Sequence, residues 1–211
     1  MSMIYAVIII CPGTVANKLV DIHGVLFAGG TFILPLFFWL GCIITEAYGY
    51  DIYKKITWYA IIGQFSYTFL LFLIIKLPSP SYWHHQNEYN FVIGQLPKMF
   101  MAHFIILPAA AFLNSYIISR WKILVKGRIF VIRSIGSSLI GELVYAILIC
   151  LIVFYGTLPL NKILITAAAS FLTKAVYSVL LSYPAVFIAN FIRKKEGIDA
   201  YDYGINYNPF T

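Results

Sequence analysis

Two ionisable residues lie in the middle of long apolar runs. Glu142 lies in RSIGSSLIGELVYAILI and Lys174 lies in SFLTKAVYSVLL. An ionised side chain costs about 2.5–3.5 kcal/mol at the centre of a membrane helix on insertion scales. Two interpretations account for this cost. The residues form a structural ion pair that allows both charges to be buried, or they line a polar cavity in which a ligand competes for the carboxylate.

Glu142 and Lys174 are predicted to lie at the same depth. The two runs are joined by a tight turn around residues 157–160, so they should form antiparallel neighbouring helices. Glu142 is about 16 residues from the middle of this turn and Lys174 about 15, which places each roughly 24 Å from it. Both interpretations therefore predict that the two side chains face the interior of the protein.

A polar stripe surrounds Glu142. Ser134, Ser138 and Glu142 recur at four-residue spacing, and Tyr145 continues the stripe one turn later. Serines and the glycines of the same run are also common where membrane helices pack closely. Packing explains a stripe that mixes hydroxyls with a carboxylate less well, so Ser138 is predicted to be a site residue beside Glu142.

A second polar group follows the first apolar run. Lys18, Asp21 and His23 form either part of a site or an ordinary cluster at the membrane surface. Asn17 lies deeper and is the better candidate for a site residue. In the next run, the segment FAGGTFILP at 27–35 combines paired glycines with a proline, which is typical of a broken helix that lines a cavity.

Three further polar residues lie within or at the end of apolar runs. Glu46 closes the second run, where it is either a site residue or simply solvated at the inner face. His103 and Asn114 are single polar residues in the fourth run, and both are interpreted as hydrogen bonders between helices. His84-His85 lacks a supporting carboxylate or thiol, so it makes a weak metal site.

The composition shows what kind of protein carries these residues. Of 211 residues, 61% are hydrophobic and 11% are charged, whereas a typical soluble domain is about 45–50% apolar and about 25% charged. The net charge of +7 is gathered in a few loops between apolar blocks, which is the pattern of a membrane protein. An ordinary cytosolic enzyme, a disordered chain and a nucleic-acid-binding module are excluded, and no nucleic-acid partner is predicted. The three cysteines form no metal or disulfide motif, and no cofactor is predicted.

The predicted fold is an all-α integral membrane protein, a single domain over residues 1–211 with six transmembrane helices. A span needs about 20 apolar residues, and six runs qualify, at approximately 3–20, 24–45, 56–77, 99–119, 130–156 and 161–190. With the N-terminus inside, ten Lys and Arg residues fall in inner segments and four in outer segments. This asymmetry predicts that both termini are cytoplasmic.

No catalytic signature is present. The sequence contains no GxxxxGK[ST], HExxH or GxSxG, and its histidines are single or in loops. An enzyme is therefore not expected. A structural membrane subunit without transport activity stays open as an alternative, although the mid-membrane Glu142 and Lys174 argue against it.

Six blocks of the sequence, in this order and spacing, resemble the queuosine precursor transporter family, also called the vitamin uptake transporter family. The blocks are ANKLV (16–20), GGTFILP (29–35), ITEAYGY (44–50), RSIGSSLIGELV (133–144), FLTKAVYSVLLSYP (171–184) and YDYGINYNPF (201–210). The resemblance implies a six-helix fold similar to the substrate-binding subunits of energy-coupling-factor transporters. It also implies import of 7-cyano-7-deazaguanine, 7-aminomethyl-7-deazaguanine or queuine across the bacterial inner membrane, for tRNA modification.

The resemblance also implies a set of site residues. The family's asparagine falls on Asn17, its two acidic positions on Glu46 and Glu142, and its lysine on Lys174. Both acids are Glu here, whereas Asp is associated with these positions in other members, so the pocket geometry and the preferred precursor can differ.

The chemistry of Glu142 suits a guanine-like ligand. A carboxylate can accept the ring N–H and the amino group of such a base as a bidentate pair. Lys174 would keep Glu142 charged or donate to the base carbonyl, while Asn17 and Ser138 would complete recognition. The first run, MIYAVIIICPGTVA, lacks the alanine-spaced face on which a vitamin-type subunit docks its energising partner. A stand-alone carrier is therefore favoured over a subunit that needs such a partner.

Overall fold

The computed structural model describes residues 1–15, 18–22, 25–154 and 159–210. Over these ranges the chain forms seven α-helices and one antiparallel β-hairpin. The helices are α1 (Ser2–Val15), α2 (Leu34–Tyr48), α3 (Tyr50–Ile75), α4 (Gln86–Ile93), α5 (Leu96–Leu124), α6 (Phe130–Phe154) and α7 (Leu160–Glu196). The strands are β1 (Leu19–Ile22) and β2 (Val25–Ala28), and one turn of 3-10 helix follows at Gly29–Phe32.

Five helical segments are long and apolar enough to cross a membrane. They are Gly29–Tyr48, Tyr50–Ile75, Met99–Leu124, Phe130–Ile152 and Ile163–Glu196. Many large apolar side chains point outward from these segments, as expected where lipid rather than water surrounds the protein. The prediction of an all-α, multi-pass membrane protein is therefore confirmed.

The first predicted span differs from the structure. The helix predicted at 3–20 ends at Val15, so α1 has 14 residues and is about 21 Å long. That is shorter than the roughly 30 Å of a bilayer's hydrocarbon core. The described residues therefore contain five full-length spans and one shorter apolar helix, rather than six full-length spans.

The start of the second predicted span differs for a related reason. Residues 25–28 are a β-strand rather than helix, and α2 begins only at Leu34 with Pro35 in its first turn. A Cβ atom on Gly29 would lie 2.6 Å from the carbonyl oxygen of Val15, and one on Gly30 would lie 2.6 Å from that of Pro12. The paired glycines thus let this segment pass against the end of α1, and the predicted break in the helix is confirmed.

The other predicted spans correspond to single helices. The runs at 56–77, 99–119, 130–156 and 161–190 lie largely within α3, α5, α6 and α7. Residues at both ends continue some of these helices, because polar side chains extend a helix readily once it has left the lipid. The loop predicted at 78–98 contains the short helix α4.

Helix α2 lies at the centre of the bundle. Twelve of its 15 residues are buried, because α1, α3, α5, α6 and α7 all pack against it. Helix α6 contacts α2 and α5 on one side and α7 on the other. A polar residue on α2 or α6 is therefore placed where several helices meet.

Both ends of the chain lie at the same end of the bundle. Near the start of α1, the hydroxyl of Tyr5 donates to that of Tyr53 at 2.8 Å, in the first turn of α3. In the C-terminal tail, residues 197–210, the Asp202 carboxylate accepts the backbone N–H of Tyr50 at 3.0 and 3.1 Å. We call this end of the bundle the tail end.

Candidate functional site

The polar stripe of α6 is buried among three helices. Ser134, Ser138, Glu142 and Tyr145 are all buried, and the four-residue spacing of the first three places them on one side of α6. Because that side faces the interior, the stripe contributes nothing to the lipid-facing surface. The inward orientation predicted for Glu142 is confirmed, and the other three residues of the stripe share it.

Glu142 is only partly satisfied. The carboxylate is 0% exposed, and its Oε1 accepts a hydrogen bond of 2.8 Å from the Ser178 hydroxyl on α7. Its Oε2 is buried with no hydrogen-bond partner among the described residues. A buried polar atom without a partner costs about 1–3 kcal/mol, and more when it carries charge. Such an atom marks a position where a ligand with a donor group would be favoured.

Lys174 faces the same region from α7 without pairing directly with Glu142. It is 2% exposed, and its Nζ lies 4.8 Å from the centroid of the Tyr145 ring, a cation–π distance. Among the described residues it forms no ion pair with Glu142 within 4.0 Å. The Glu142–Tyr145 edge of α6 thus faces the Lys174–Ser178 edge of α7. The matched depth predicted for the two charges is confirmed.

Ser138 belongs to a contact between three helices. Its hydroxyl lies 3.4 Å from the thiol of Cys42 on α2. The same thiol lies 3.6 Å from Ser137 and 3.5 Å from the Asn114 amide nitrogen on α5. Asn114 therefore bonds between helices, as expected, while Ser138 lies one turn from Glu142 towards the tail end.

His103 lies on the other side of Glu142, away from the tail end. It is buried on α5, and its Nε2 is 2.8 Å from the Tyr145 hydroxyl. Its Nδ1 is buried and has no hydrogen-bond partner among the described residues. Among the described residues, His103 therefore forms a hydrogen bond to another helix through one ring nitrogen only.

Glu46 lies in an ion cluster at the tail end. Arg133 donates to both of its carboxylate oxygens, at 2.8 and 2.9 Å, and Arg193 on α7 also pairs with it. Lys122 donates to its backbone oxygen at 2.7 Å. Glu46 is 1% exposed, so it is not solvated. Glu142 follows Arg133 by nine positions on α6, so their Cα atoms are about 13 Å apart along the helix axis.

The tail completes this cluster. Asp199 pairs with Lys122 at 2.5 Å and with Arg193 at 3.1 Å. Asp202, next along the tail, accepts a hydrogen bond from Ser119 at 2.5 Å besides those from Tyr50. Four helices, α2, α5, α6 and α7, are thus held to the tail about two to three turns from Glu142.

A cavity of about 300 Å³ lies between α3 and α5. Its lining is almost wholly apolar, and it includes Gln64, Thr68 and Phe100. Phe100 separates this cavity from His103, whose ring it meets edge-on with centroids 6.2 Å apart. Neither Glu142 nor Lys174 is among its lining residues.

The model of one protein family, described as "Putative vitamin uptake transporter", matches residues 28–189. The chain belongs to this family. No curated protein and no solved structure matches the chain. The resemblance noted in the sequence is thereby confirmed for the vitamin uptake transporter family.

The family match contains most of the candidate site. Residues 28–189 include Glu46, Ser138, Glu142 and Lys174, so these four predicted site residues lie within the part shared with vitamin uptake transporters. The structure places Glu142 and Lys174 on facing edges of α6 and α7. Ser138 lies one turn of α6 away, against Cys42, and Glu46 lies apart, at the tail end. Asn17 and His23 lie outside the described residues.

Two residues at these sites were not identified from the sequence. Ser178 follows Lys174 by four residues, so helical spacing alone could have placed it beside Glu142. Arg133 is one of the ten Lys and Arg residues of the inner segments, and nothing in its spacing indicates Glu46 as its partner. In the part of the chain that the structure describes, no group of three or more His, Cys, Asp or Glu residues could hold a metal ion.

Proposed function

We propose that this member of the vitamin uptake transporter family imports queuosine precursors, the 7-deazaguanine bases, for tRNA modification. The observation that carries the proposal is the Oε2 of Glu142, which is buried within the bundle and has no hydrogen-bond partner among the described residues. A ligand that donates two parallel hydrogen bonds would satisfy this enclosed carboxylate and would bind it strongly.

The amino-lactam edge of a guanine-like base supplies those two donors. Its ring N–H and its amino group are adjacent, so one can meet each carboxylate oxygen. Oε1 keeps its bond from Ser178, because a carboxylate oxygen accepts more than one hydrogen bond. The proposed substrate therefore matches Glu142 without breaking a contact that the protein already makes.

Lys174 supports this role through its charge. Its ammonium group lies on the side of α7 that faces Glu142 but forms no direct ion pair with it among the described residues. It can therefore donate to the carbonyl oxygen beside the amino-lactam edge. Ser138 lies one turn from Glu142, and Asn17 is proposed to contribute a further polar contact. In this arrangement an adenine-like base would leave the carboxylate unpaired and would bind much less well.

Glu46 has a different part in the proposed cycle. Its carboxylate is occupied by two arginines, so it offers no free acceptor to a base. The cluster joins α2, α5, α6 and α7 at the tail end, where a ligand leaving towards the cytoplasm would pass. We propose that this cluster separates on release of the base.

We also propose a stand-alone carrier in the bacterial inner membrane. Helix α1 exposes Met3, Ile4 and Val7, which are bulky side chains rather than a row of small ones. Close docking of a second membrane subunit uses small residues that let two helix backbones approach. A row of bulky residues is suited to lipid instead.

The test is uptake in cells that cannot synthesise queuosine. The wild-type chain or Glu142→Gln is expressed, each precursor is supplied at nanomolar concentration, and queuosine in tRNA is measured. We expect queuosine only with the wild-type chain, because Gln has the shape of Glu but lacks its charge and one acceptor. Equal membrane levels of both proteins are the control.

The other outcomes are distinct. Rescue by both chains would support transport of the precursors and would show that Glu142 has a structural role. No queuosine with either chain, at equal membrane levels, would reject the precursors as substrates of the stand-alone protein. Equal transport of guanine-like and adenine-like bases would reject recognition through the amino-lactam edge.

A further inference from the structure

His103 carries an unused hydrogen-bonding group in the interior of the bundle. The residue is 4% exposed, and Nδ1 is buried without a partner among the described residues. Its other ring nitrogen, Nε2, lies 2.8 Å from the Tyr145 hydroxyl. A role confined to bonding between helices accounts for Nε2 but leaves Nδ1 unexplained.

The contact with Tyr145 indicates which nitrogen carries the proton. Within the part of the chain that the structure describes, His103 is the one hydrogen-bond partner of the Tyr145 hydroxyl. If Nε2 donated, the buried hydroxyl hydrogen would have no acceptor. If the hydroxyl donates to Nε2, that hydrogen is satisfied, and the neutral ring carries its own hydrogen on Nδ1. We therefore assign Nδ1–H as a free donor.

The position of this donor is fixed relative to Glu142. A Cβ atom on Gly141 would lie 3.0 Å from Cβ of Asn114 and 3.2 Å from the carbonyl oxygen of Ala110. Glu142 is therefore level with residues 110–114 of α5. His103 precedes Ala110 by seven residues, or about 10 Å along the helix. The donor lies on the same inward side as Glu142, but farther from the tail end.

We infer that His103 is a second recognition residue, whose Nδ1–H donates to an acceptor on the ligand at the end opposite to the edge held by Glu142. This inference rests on the proposed function, because it takes the ligand to be a 7-deazaguanine base. His103 and Glu142 thus lie at different levels of the bundle, and this arrangement suits a bicyclic base that carries a substituent on its five-membered ring.

The assignment predicts discrimination between two precursors. The nitrile nitrogen of 7-cyano-7-deazaguanine is an acceptor and can receive the Nδ1–H. The protonated aminomethyl group of 7-aminomethyl-7-deazaguanine has only donors and would place its hydrogens against that of His103. The nitrile should therefore bind more tightly, and the difference should depend on His103.

The experiment measures binding of both precursors to the full chain in nanodiscs by calorimetry. His103→Gln places an amide near the position of Nε2, so it can keep the Tyr145 contact, but it has no group at Nδ1. We expect this variant to bind the nitrile about tenfold more weakly, the scale of one lost hydrogen bond to a buried donor. It should bind the aminomethyl compound more tightly than wild type does, because the opposing N–H is gone.

His103→Asn and Tyr145→Phe are the matched controls. Asn places an amide near the position of Nδ1 and cannot reach Tyr145, so it should keep the preference for the nitrile while lowering the melting temperature. Tyr145→Phe removes the hydroxyl that donates to Nε2 and thereby keeps the hydrogen of the ring on Nδ1. The preference for the nitrile should therefore become smaller, although His103 is present.

Two outcomes would overturn the inference, and they are distinguishable. If wild type and His103→Gln bind the nitrile equally, His103 is structural, and the proposed function is unaffected. If wild type binds neither precursor while retaining its cooperative melting transition, the proposed function fails and the role of His103 in it fails as well.

Discussion

Arg133 on α6 donates to both carboxylate oxygens of Glu46 on α2, at 2.8 and 2.9 Å, and both side chains are buried. Arg193 adds a second guanidinium to the same carboxylate. A buried, bidentate pair fixes the distance and rotation of two helices. The pair therefore sets how α2 and α6 meet at the tail end, beneath the region that contains Glu142.

Removing the Glu46 charge should destabilise the protein more than it affects the ligand site. Loss of one partner from a buried ion pair costs about 3–5 kcal/mol, because the remaining charge is left buried. We expect Glu46→Gln to lower the melting temperature of the purified protein by roughly 10 °C. Asp51→Asn is the control, because that carboxylate is 53% exposed and pairs only at the surface among the contacts described.

A different result would reassign Glu46. If Glu46→Gln melts as wild type does and yet binds 7-deazaguanine bases more weakly, Glu46 contacts the ligand directly, and the ion cluster is incidental.

Ser178 is predicted to position the Glu142 carboxylate. Its hydroxyl donates to Oε1 at 2.8 Å, and a hydrogen bond to a charged group contributes about 1.5–3 kcal/mol. Part of this is compensated by rotation of the carboxylate. We expect Ser178→Ala to weaken binding of a 7-deazaguanine base about tenfold, measured by calorimetry.

Ser182→Ala is the matched control for Ser178. Ser182 lies one turn farther along α7 and is also buried, but its hydroxyl donates to the Val179 carbonyl of its own helix. This variant should bind the base as wild type does. Equal weakening by both substitutions would show that packing of α7, rather than the bond to Glu142, is responsible.

The relative depth of the two buried charges was the feature best predicted from the sequence. Helical rise and a tight turn were enough to bring Glu142 and Lys174 to the same level, because both quantities depend only on local geometry. The break before α2 was likewise predictable, since paired glycines and a proline act on the backbone directly. The vitamin uptake transporter family was also evident from short blocks spread along the chain.

The pairing of distant polar residues was not predictable from the sequence. Glu46 could pair with a basic residue on any neighbouring helix. Its pairing with Arg133 depends on how α2 is rotated relative to α6. The same applies to His103 and Tyr145, which are 42 residues apart. The length of α1 depends on the close passage of Gly29 and Gly30, which is a tertiary contact rather than a periodicity.

Two glycines of the α2–α3 region should respond oppositely to alanine. Gly49 has a φ of +84°, and a Cβ atom there would lie 2.6 Å from the Asp202 carboxylate. Gly49→Ala should therefore strain the backbone and displace the tail, with a loss of about 1–3 kcal/mol. Gly63 lies within α3, and its Cβ atom would meet nothing within 4 Å.

Gly63→Ala is thus the control, and it should be neutral or stabilising by up to about 1 kcal/mol, since alanine favours helix. Thermal melting and limited proteolysis of the tail check both variants. Similar melting temperatures, together with equal resistance of the tail to protease, would show that the contact between Asp202 and the α2–α3 turn contributes little.

The two ends of the chain are predicted to lie on the cytoplasmic side. Tyr5 near the N-terminus and Asp202 in the tail both bond to the first turn of α3. Lys122, Arg133 and Arg193 are held at this same tail end, and an excess of basic residues is typical of the cytoplasmic face. We therefore predict that α1, although short, completes an even number of crossings.

Reporter fusions at each terminus check this topology. A fluorescent protein at either end should be bright, and alkaline phosphatase at either end should be inactive, because the two reporters fold on opposite sides of the inner membrane. A phosphatase inserted after Ser81, in the connection between α3 and α4, should be active. Phosphatase activity at the N-terminus alone would mean five crossings, because α1 would then lie along the bundle without carrying the chain to the other side.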